Sequence, residues 1–557
     1  MVAASLNACV QNLPRKWDQQ RLVALLQEQG LQYVVARKKA GRPYAFVSFA
    51  CAEHRAAAEA ALRTLTLAGR PMAVRDATVG RDKGAAAQLV EPTEATRAVA
   101  EMDIRNAVTP LWQVPYGEQL RRKHAVVAAA LARITKLSAK AHRAALRPGT
   151  WPAWLHTARG APGNAAAPLV GIVRSPQLQG YRNKCEFTVG VGTDDKPAVG
   201  FLLGAYKDGL TAVVPPTGCR NVSAVAAECA ALLQAFVRQR SRLPVWDKRC
   251  NSGFWRLLLV REGRRRMHLP DSVSGQPLAA AAAGPVTDLD WQRWLITVPE
   301  APGAALEVSE AQAAPPPPDE LMLIVQVDPT APGADALAQG ELAALGEFLR
   351  QSAPRPLTTL LLQHHSGLSN AAAPDALLLP FPAPPADGGE RQCICDALGD
   401  LTFRISPSAF FQVNTGAAAV LYALAGAWAA PDPGAVLLDI CCGTGTIGLT
   451  LARRAARVVG VDIVESAVAD ARTALVAVVD PPRAGLHPRV LHSLLQCAAL
   501  RRLVYVSCNP DTLARDAAAL CAPQGRGGPL PFAPVRAAAV DLFPHTAHVE
   551  AVLLLER

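Results

Sequence analysis

The stretch "GAVLLDICCGTGTIGLTLARRAARVVGVD", residues 434–462, restricts the possible folds more than any other in the chain. An apolar run of strand length ends in an acid and a glycine-rich turn. A helical segment follows, then a second apolar run that ends in another acid. This is a strand–turn–helix–strand unit, and Gly443, Gly445 and Gly448 fit Gly-x-Gly-x-x-Gly. Parallel strands joined in this way are covered on both faces and read as continuous apolar runs. "VAVVDPPRAG", "RRLVYVSCNP" and "AHVEAVLLLER" supply further runs of that kind. From residue 411 onward the pattern predicts a doubly wound, Rossmann-like α/β sheet. Ligands of such a sheet bind beyond the carboxyl ends of its strands.

Those ends carry reactive groups. Asp439 opens the glycine turn and Asp462 closes the next strand, where a carboxylate takes the hydroxyls of a ribose. That arrangement serves NAD as well as S-adenosyl-L-methionine. Asp480 ends a strand as Asp-Pro-Pro-Arg, a feature of methyltransferases acting on planar nitrogens or on bases. Each acid alone reads more readily as a helix cap; in this order, with Gly443 and Gly445 between them, they favour a methyl-donor site. Cys508 sits at a strand tip before Asn-Pro, where a nucleophile would face the crevice, whereas a core cysteine is the competing reading. Glu550 begins an apolar strand, and burial there raises a carboxyl pKa toward general-base range. His545 and His548 have the spacing of metal ligands but no third partner in view, so they read as site-shaping residues and no metal is expected.

The 557 residues suggest two to four domains of roughly 100–200 residues. Residues 1–78 read as strand, helix, strand, helix, strand, a ferredoxin-like unit. Within it Arg42–Phe49 resembles the octamer of an RNA-recognition motif, with Pro43 in place of a glycine. Tyr44 and Phe46 hold its base-stacking positions, and Cys9 replaces the aromatic of the partner segment. A linker over 79–105 leads to a mixed α+β central domain, 106–410, which opens with one or two long basic helices and is broken by proline-rich loops. Residues 411–557 form the methyltransferase-like domain. The net charge of +11 suits a polyanionic partner. Thirteen cysteines with no Cys-x-x-Cys pair point to reduced thiols, hence the cytosol or nucleus. The N-terminus lacks a signal-like apolar core, and "AAAVLYALAGAWAA" falls short of the roughly 18 residues of a membrane span, so no membrane partner is expected.

"DPPRAGLH", "LVYVSCNPDT", "DLFPHTAHVE", "SAFFQVNTG" and "SPQLQGYRNKCEFTVG" together resemble the RNA uracil-5-methyltransferase family. The resemblance implies S-adenosyl-L-methionine-dependent methylation of uridine carbon 5 in the T loop of tRNA. It implies Cys508 as nucleophile and Glu550 as base, with Gln412, Asp462 and Asp480 at the cofactor. Asp462 stands for the family's usual glutamate and Cys441 for a frequent aromatic. The cysteines that hold an iron–sulfur cluster in bacterial members are absent, so no cluster is expected. One departure stands out: "VGVDIVESAVADARTAL" runs straight into "VAVVDPPRAG", whereas the family has another strand and helix there. A shortened cofactor domain is therefore expected. A non-catalytic RNA-binding protein is the alternative, and an exocyclic-nitrogen methyltransferase, which needs no thiolate, is a third.

Overall fold

The computed structural model describes residues 7–14, 16–33, 35–38, 43–49, 51–67, 70–76, 102–145, 151–204, 210–249, 251–271, 284–299, 305–310, 314–367, 376–382, 391–462, 475–523 and 530–557. The chain divides into two compact units, residues 1–92 and 93–557.

In the first unit β1 (Asn7–Gln11), α1 (Gln19–Glu28), β2 (Val35–Arg37), β3 (Tyr44–Ser48), α2 (Ala52–Arg63) and β4 (Ala73–Asp76) follow one another, with a two-residue-per-strand hairpin before β4. The antiparallel sheet runs β2-β3-β1-β4. Side chains alternate between the faces of a strand. Ala8, Val10, Ala45 and Val47 therefore join Leu22, Leu26 and Leu62 of the helices in one core, and Tyr44 and Phe46 are left on the other face.

The second unit begins with α3 (Tyr116–Ala145) and α4 (Ala153–Gly160), then β5 (Leu169–Val173). A single 30-residue helix stands where one or two were expected. Its buried Leu120, Val127, Leu131 and Ile134 recur at helical spacing, the mark of one apolar stripe. A seven-stranded sheet follows, from β6 (Lys184–Val191), β7 (Pro197–Leu202), β8 (Val213–Val214), β9 (Trp255–Gly263), β11 (Glu320–Val327), β12 (Thr359–His364) and β13 (Leu378–Pro380), with α5 (Ala224–Gln239) and α6 (Ala334–Ser352) in its core. The short β10 (Leu295–Ile296) leaves this run to pair with β5. A hairpin, β14 (Ile394–Leu398) and β15 (Leu401–Ile405), leads to α7 (Thr415–Ala429).

The remaining elements are β16 (Val436–Ile440), α8 (Thr446–Leu451), β17 (Arg457–Val461), β18 (Val476–Val479), α9 (Pro488–Gln496), β19 (Arg502–Ser507), α10 (Pro510–Leu520), β20 (Ala533–Val540) and β21 (Glu550–Glu556). With β5 and β10 they form an eight-stranded sheet in the order β10-β5-β20-β21-β19-β18-β16-β17. The strands β17, β16, β18 and β19 are mutually parallel, and β21 returns antiparallel. Val476, Val478, Val504 and Val506 face a core that includes α7. Ala477, Val479, Leu503 and Tyr505 face one built with α3 and α10. The expected division at residue 410 needs correction: β5 and β10 come from the presumed central region yet complete this sheet. Strand periodicity fixes which face is buried but not which distant strand will be the neighbour. The run "AAAVLYALAGAWAA" becomes α7, apolar on every side because its core joins both large sheets. Among the described residues no helix is long and apolar enough to cross a membrane.

Candidate active site

From β16 the chain passes to β17 on one side and then to β18 on the other, so β16 lies at the point where the winding reverses. A crevice opens there at the carboxyl ends. Asp439 lies near the end of β16, Asp480 follows β18 and Cys508 follows β19. Because β21 runs antiparallel to β19, with Ser507 opposite Ala551, its first residue Glu550 arrives at the same edge. Four reactive side chains thus meet through strand register alone.

Local hydrogen bonds hold them there. Asn509 caps α10 by accepting from the Asp511 N–H (3.1 Å), and Pro510 occupies the first helical turn, where its missing N–H goes unnoticed. The Asn509 amide also donates to the Arg483 carbonyl (2.9 Å), tying the cysteine loop to the Asp-Pro-Pro-Arg loop. Buried Asp516 accepts from the Leu486 N–H (2.7 Å) and the Tyr505 hydroxyl (2.8 Å), which fixes the far end of that loop.

The electrostatics follow from crowding of acids in a dry place. Burial, reinforced by Asp480, pushes Glu550 up to about 8, against the opposing pull of Arg483. Burial and Asp439 push Asp480 up to about 7. Burial pushes Asp439 up to about 6, although the Gly448 N–H works against it. The half-buried Cys508 thiol is raised by burial, Glu550 and Asp480, and lowered by Arg483. Glu550 Oε2 is buried without a hydrogen-bond partner among the described residues. A buried carboxyl oxygen without a partner is costly to keep, and in folded proteins such exceptions call for an explanation such as a catalytic role.

The glycine turn forms the neighbouring half of the crevice. Gly443 and Gly445 have φ of +52° and +75°, a region that side chains disfavour, and a Cβ on Gly443 would meet nothing within 4 Å. Its N–H donates to Asp462 Oδ2 (2.8 Å). Asp439 Oδ2 accepts from the Gly448 N–H (2.7 Å), while its Oδ1 is buried with no partner among the described residues. Two carboxylates and an open backbone turn fit a ligand carrying an ammonium group and ribose hydroxyls. Gln412 is buried just before α7; its carbonyl accepts from Asn183 (2.9 Å). Two residues on, the Asn414 amide donates to the Leu542 carbonyl (3.0 Å), joining this loop to the segment that leads to Glu550.

That segment is anchored by α3. Lys123, fully buried, donates to Asp541 Oδ1 and to the Phe543 carbonyl, while the Tyr116 hydroxyl donates to Asp541 Oδ2. His545 is buried with φ +65°; its N–H donates to Gln119 Oε1 (2.8 Å), and burial lowers its pKa to about 4. His548 is exposed, its ring edge-on to Phe543. Among the described residues no three His, Cys, Asp or Glu side chains cluster as a metal site.

Most cations of two basic segments have internal partners. In "LRRKH" both arginines pair with Glu118 and Lys123 is the buried anchor. In "REGRRRMH" Arg261 is buried on the Ala409 carbonyl and Arg264 pairs with Glu262. In the first unit Tyr44 and Phe46 stand side by side, ring centres 5.6 Å apart, with Phe46 44% exposed and opposite Cys9.

Two residues of the cluster escaped the sequence reading. Arg483 supplies the opposing charge on Glu550 and Cys508 among the described residues, and the fourth letter of Asp-Pro-Pro-Arg was the only hint. Tyr422 of α7 has a pKa raised by burial and by Asp480, Asp439 and Glu550 together, so it adjoins all three. Nothing in an alanine-rich helical run singles out that tyrosine.

The model of the family described as tRNA (Uracil-5-)-methyltransferase matches residues 473–557, and a methyltransferase-domain model matches 437–489. The chain is 34% identical to human tRNA (uracil-5-)-methyltransferase homolog A, over 98% of this chain and 82% of that protein. It is 33% identical to zinc finger CCCH domain-containing protein 24 of Arabidopsis thaliana, over 100% of this chain and 80% of that one. Among solved structures, Pyrococcus abyssi tRNA (uracil-54, C5)-methyltransferase in complex with S-adenosyl-L-homocysteine matches at a TM-score of 0.44 and 21% identity, over 72% of this chain and 81% of that one.

Proposed function

The chain belongs to the tRNA (uracil-5-)-methyltransferase family, and on that premise we propose that it methylates carbon 5 of a uridine in tRNA, in the T loop, with Cys508 as nucleophile and Glu550 as base. The observation that carries this reading is the meeting of Cys508, Glu550 and Asp480 at one sheet edge beside the glycine turn.

S-adenosyl-L-methionine supplies an electrophilic methyl group. Asp439 and Asp462, with the open turn at Gly443 and Gly445, would hold it, with Gln412 and Asp480 beside them. Carbon 5 of uracil is a poor nucleophile until the Cys508 thiolate adds to carbon 6 and pushes electrons into the ring. After carbon 5 has gained its methyl group, Glu550 takes the carbon-5 proton. The C5–H electron pair restores the ring double bond as the C6–S bond breaks. Arg483 stabilises the thiolate and the Glu550 carboxylate that its neighbours disfavour. A uridine in a folded loop must leave its stack to reach Cys508. Tyr44 and Phe46 of the first unit, which we read as an RNA-recognition motif of ferredoxin-like order, stack on exposed bases. The central sheet belongs to RNA binding in this reading, and the protein works in the cytosol or nucleus.

Assays with an unmodified tRNA transcript and labelled donor test the assignment. Cys508→Ala abolishes transfer, and Glu550→Gln accumulates a covalent protein–RNA adduct that survives denaturing gels. Normal turnover by Cys508→Ala would sink the mechanism. One observation favours the second reading, an RNA binder without turnover. Among the described residues β17 is the outer strand of the sheet, only partly buried, and Leu449 and Leu475 are 54% and 40% exposed. Calorimetric titration with S-adenosyl-L-methionine separates the two: micromolar binding supports the enzyme, and no binding by a folded chain supports the binder.

A further inference from the structure

We infer that the outer face of α3, continued by α4, is a docking surface for the phosphate backbone of the RNA substrate; this rests on the tRNA reading above. The inner face of α3 is committed to the protein. Lys123 anchors the segment before Glu550, and the apolar stripe packs against α10. The outer face presents Arg133, Lys136, Lys140 and Arg143, all exposed and spaced three, four and three apart, which puts them in one row. From Arg133 to Arg143 the row spans about 15 Å.

The row starts at the catalytic edge. Arg133 pairs with Asp511, three residues beyond Cys508 in the first turn of α10. At its other end the Trp151 ring has the guanidinium groups of Arg143 and of Arg159 on α4 at 5.8 and 5.2 Å from its centre. A guanidinium held against an aromatic face keeps its charge and most of its donors available. Among the described residues no carboxylate is ion-paired with Lys136, Lys140, Arg143 or Arg159. In "LRRKH", by contrast, Arg121 and Arg122 share Glu118 and Lys123 is buried on Asp541, and in "REGRRRMH" Arg261 and Arg264 have internal partners while Arg265 and Arg266 are exposed. Cations without a carboxylate partner, in a row that continues away from the Arg133–Asp511 pair near the nucleophile, complement a polyanion that must present one nucleotide to Cys508 while its strand continues away.

The test is equilibrium binding of an unmodified tRNA transcript to the full chain and to Lys136→Ala/Lys140→Ala/Arg143→Ala, over a range of salt concentrations. Three lost phosphate contacts flatten the slope of log affinity against log salt by about two and weaken binding roughly tenfold or more near physiological salt. Lys136→Arg/Lys140→Arg/Arg143→Lys, which keeps the charge, retains wild-type affinity. Thermal melting and S-adenosyl-L-methionine binding stay at wild-type values in both variants. A triple-alanine variant with wild-type affinity and slope overturns the inference. A wild-type chain that binds the transcript with the steeper slope but does not methylate it overturns the catalytic reading and leaves the docking surface standing.

Discussion

The proposed mechanism asks Cys508, Glu550 and Asp480 to act against the preference of each for the uncharged state. At neutral pH Glu550, near 8, is mostly protonated, and the thiol is raised as well. On the proposed mechanism the productive form has both groups ionised, so kcat/KM is expected to climb by more than tenfold per pH unit between about pH 6 and 8 and to go on rising above 8 while the thiol is still protonated. A profile that is flat from pH 6 to 9 would rule out Glu550 as the base. Stability runs the other way. The folded pKa values of Glu550, Asp480 and Asp439 lie above their unfolded values, so the native state binds more protons, and stability falls as pH rises from the ordinary carboxyl range to about 8. The site is strained where it is most active. The residue types and their strand-end positions were legible in the sequence because a short apolar run followed by a polar tip has few readings. Arg483 and Tyr422 were not, since their role exists only in three dimensions.

At the level of elements, α3 is the brace behind the base. Its Lys123–Asp541 pair is wholly buried and shares the carboxylate with the Tyr116 hydroxyl. Removing one partner of such a pair leaves the other charge stranded, at a cost of about 3–5 kcal/mol, whereas replacing both with apolar residues is far milder. Lys123→Met is therefore expected to lower chemical-denaturation stability by that amount, and Lys123→Met/Asp541→Leu to recover a large part of it. Equal loss in both variants would mean that the ion pair itself stabilises the fold. The elements of both units were largely legible: apolar periodicity separates β1 and β3 from α1, and β16 from α8. The recruitment of β5 and β10 into the eight-stranded sheet was not, because neither a five-residue nor a two-residue strand carries any mark of its partner.

Across the whole molecule, the proposed function puts reaction and base stacking in different parts of the chain. If the first unit contributes stacking, Tyr44→Ala/Phe46→Ala weakens RNA affinity by about 1–3 kcal/mol per lost stacked base and leaves donor binding untouched. Filter binding with single-stranded RNA measures this, and unchanged affinity would remove the first unit from recognition. The position of β21 between β19 and β20 has a consequence for how the protein is made. Residues 550–556 are an interior strand flanked by segments translated earlier. The eight-stranded sheet cannot close on the ribosome until residue 556 has cleared the exit tunnel, however long the parallel strands have waited. Until then β19 and β20 lack their shared neighbour and present unpaired edges to solvent. Glu550 reaches Cys508 only in that closing step, so on the proposed mechanism catalytic competence arrives together with the fold, and a chain stalled during synthesis would have its nucleophile without its base.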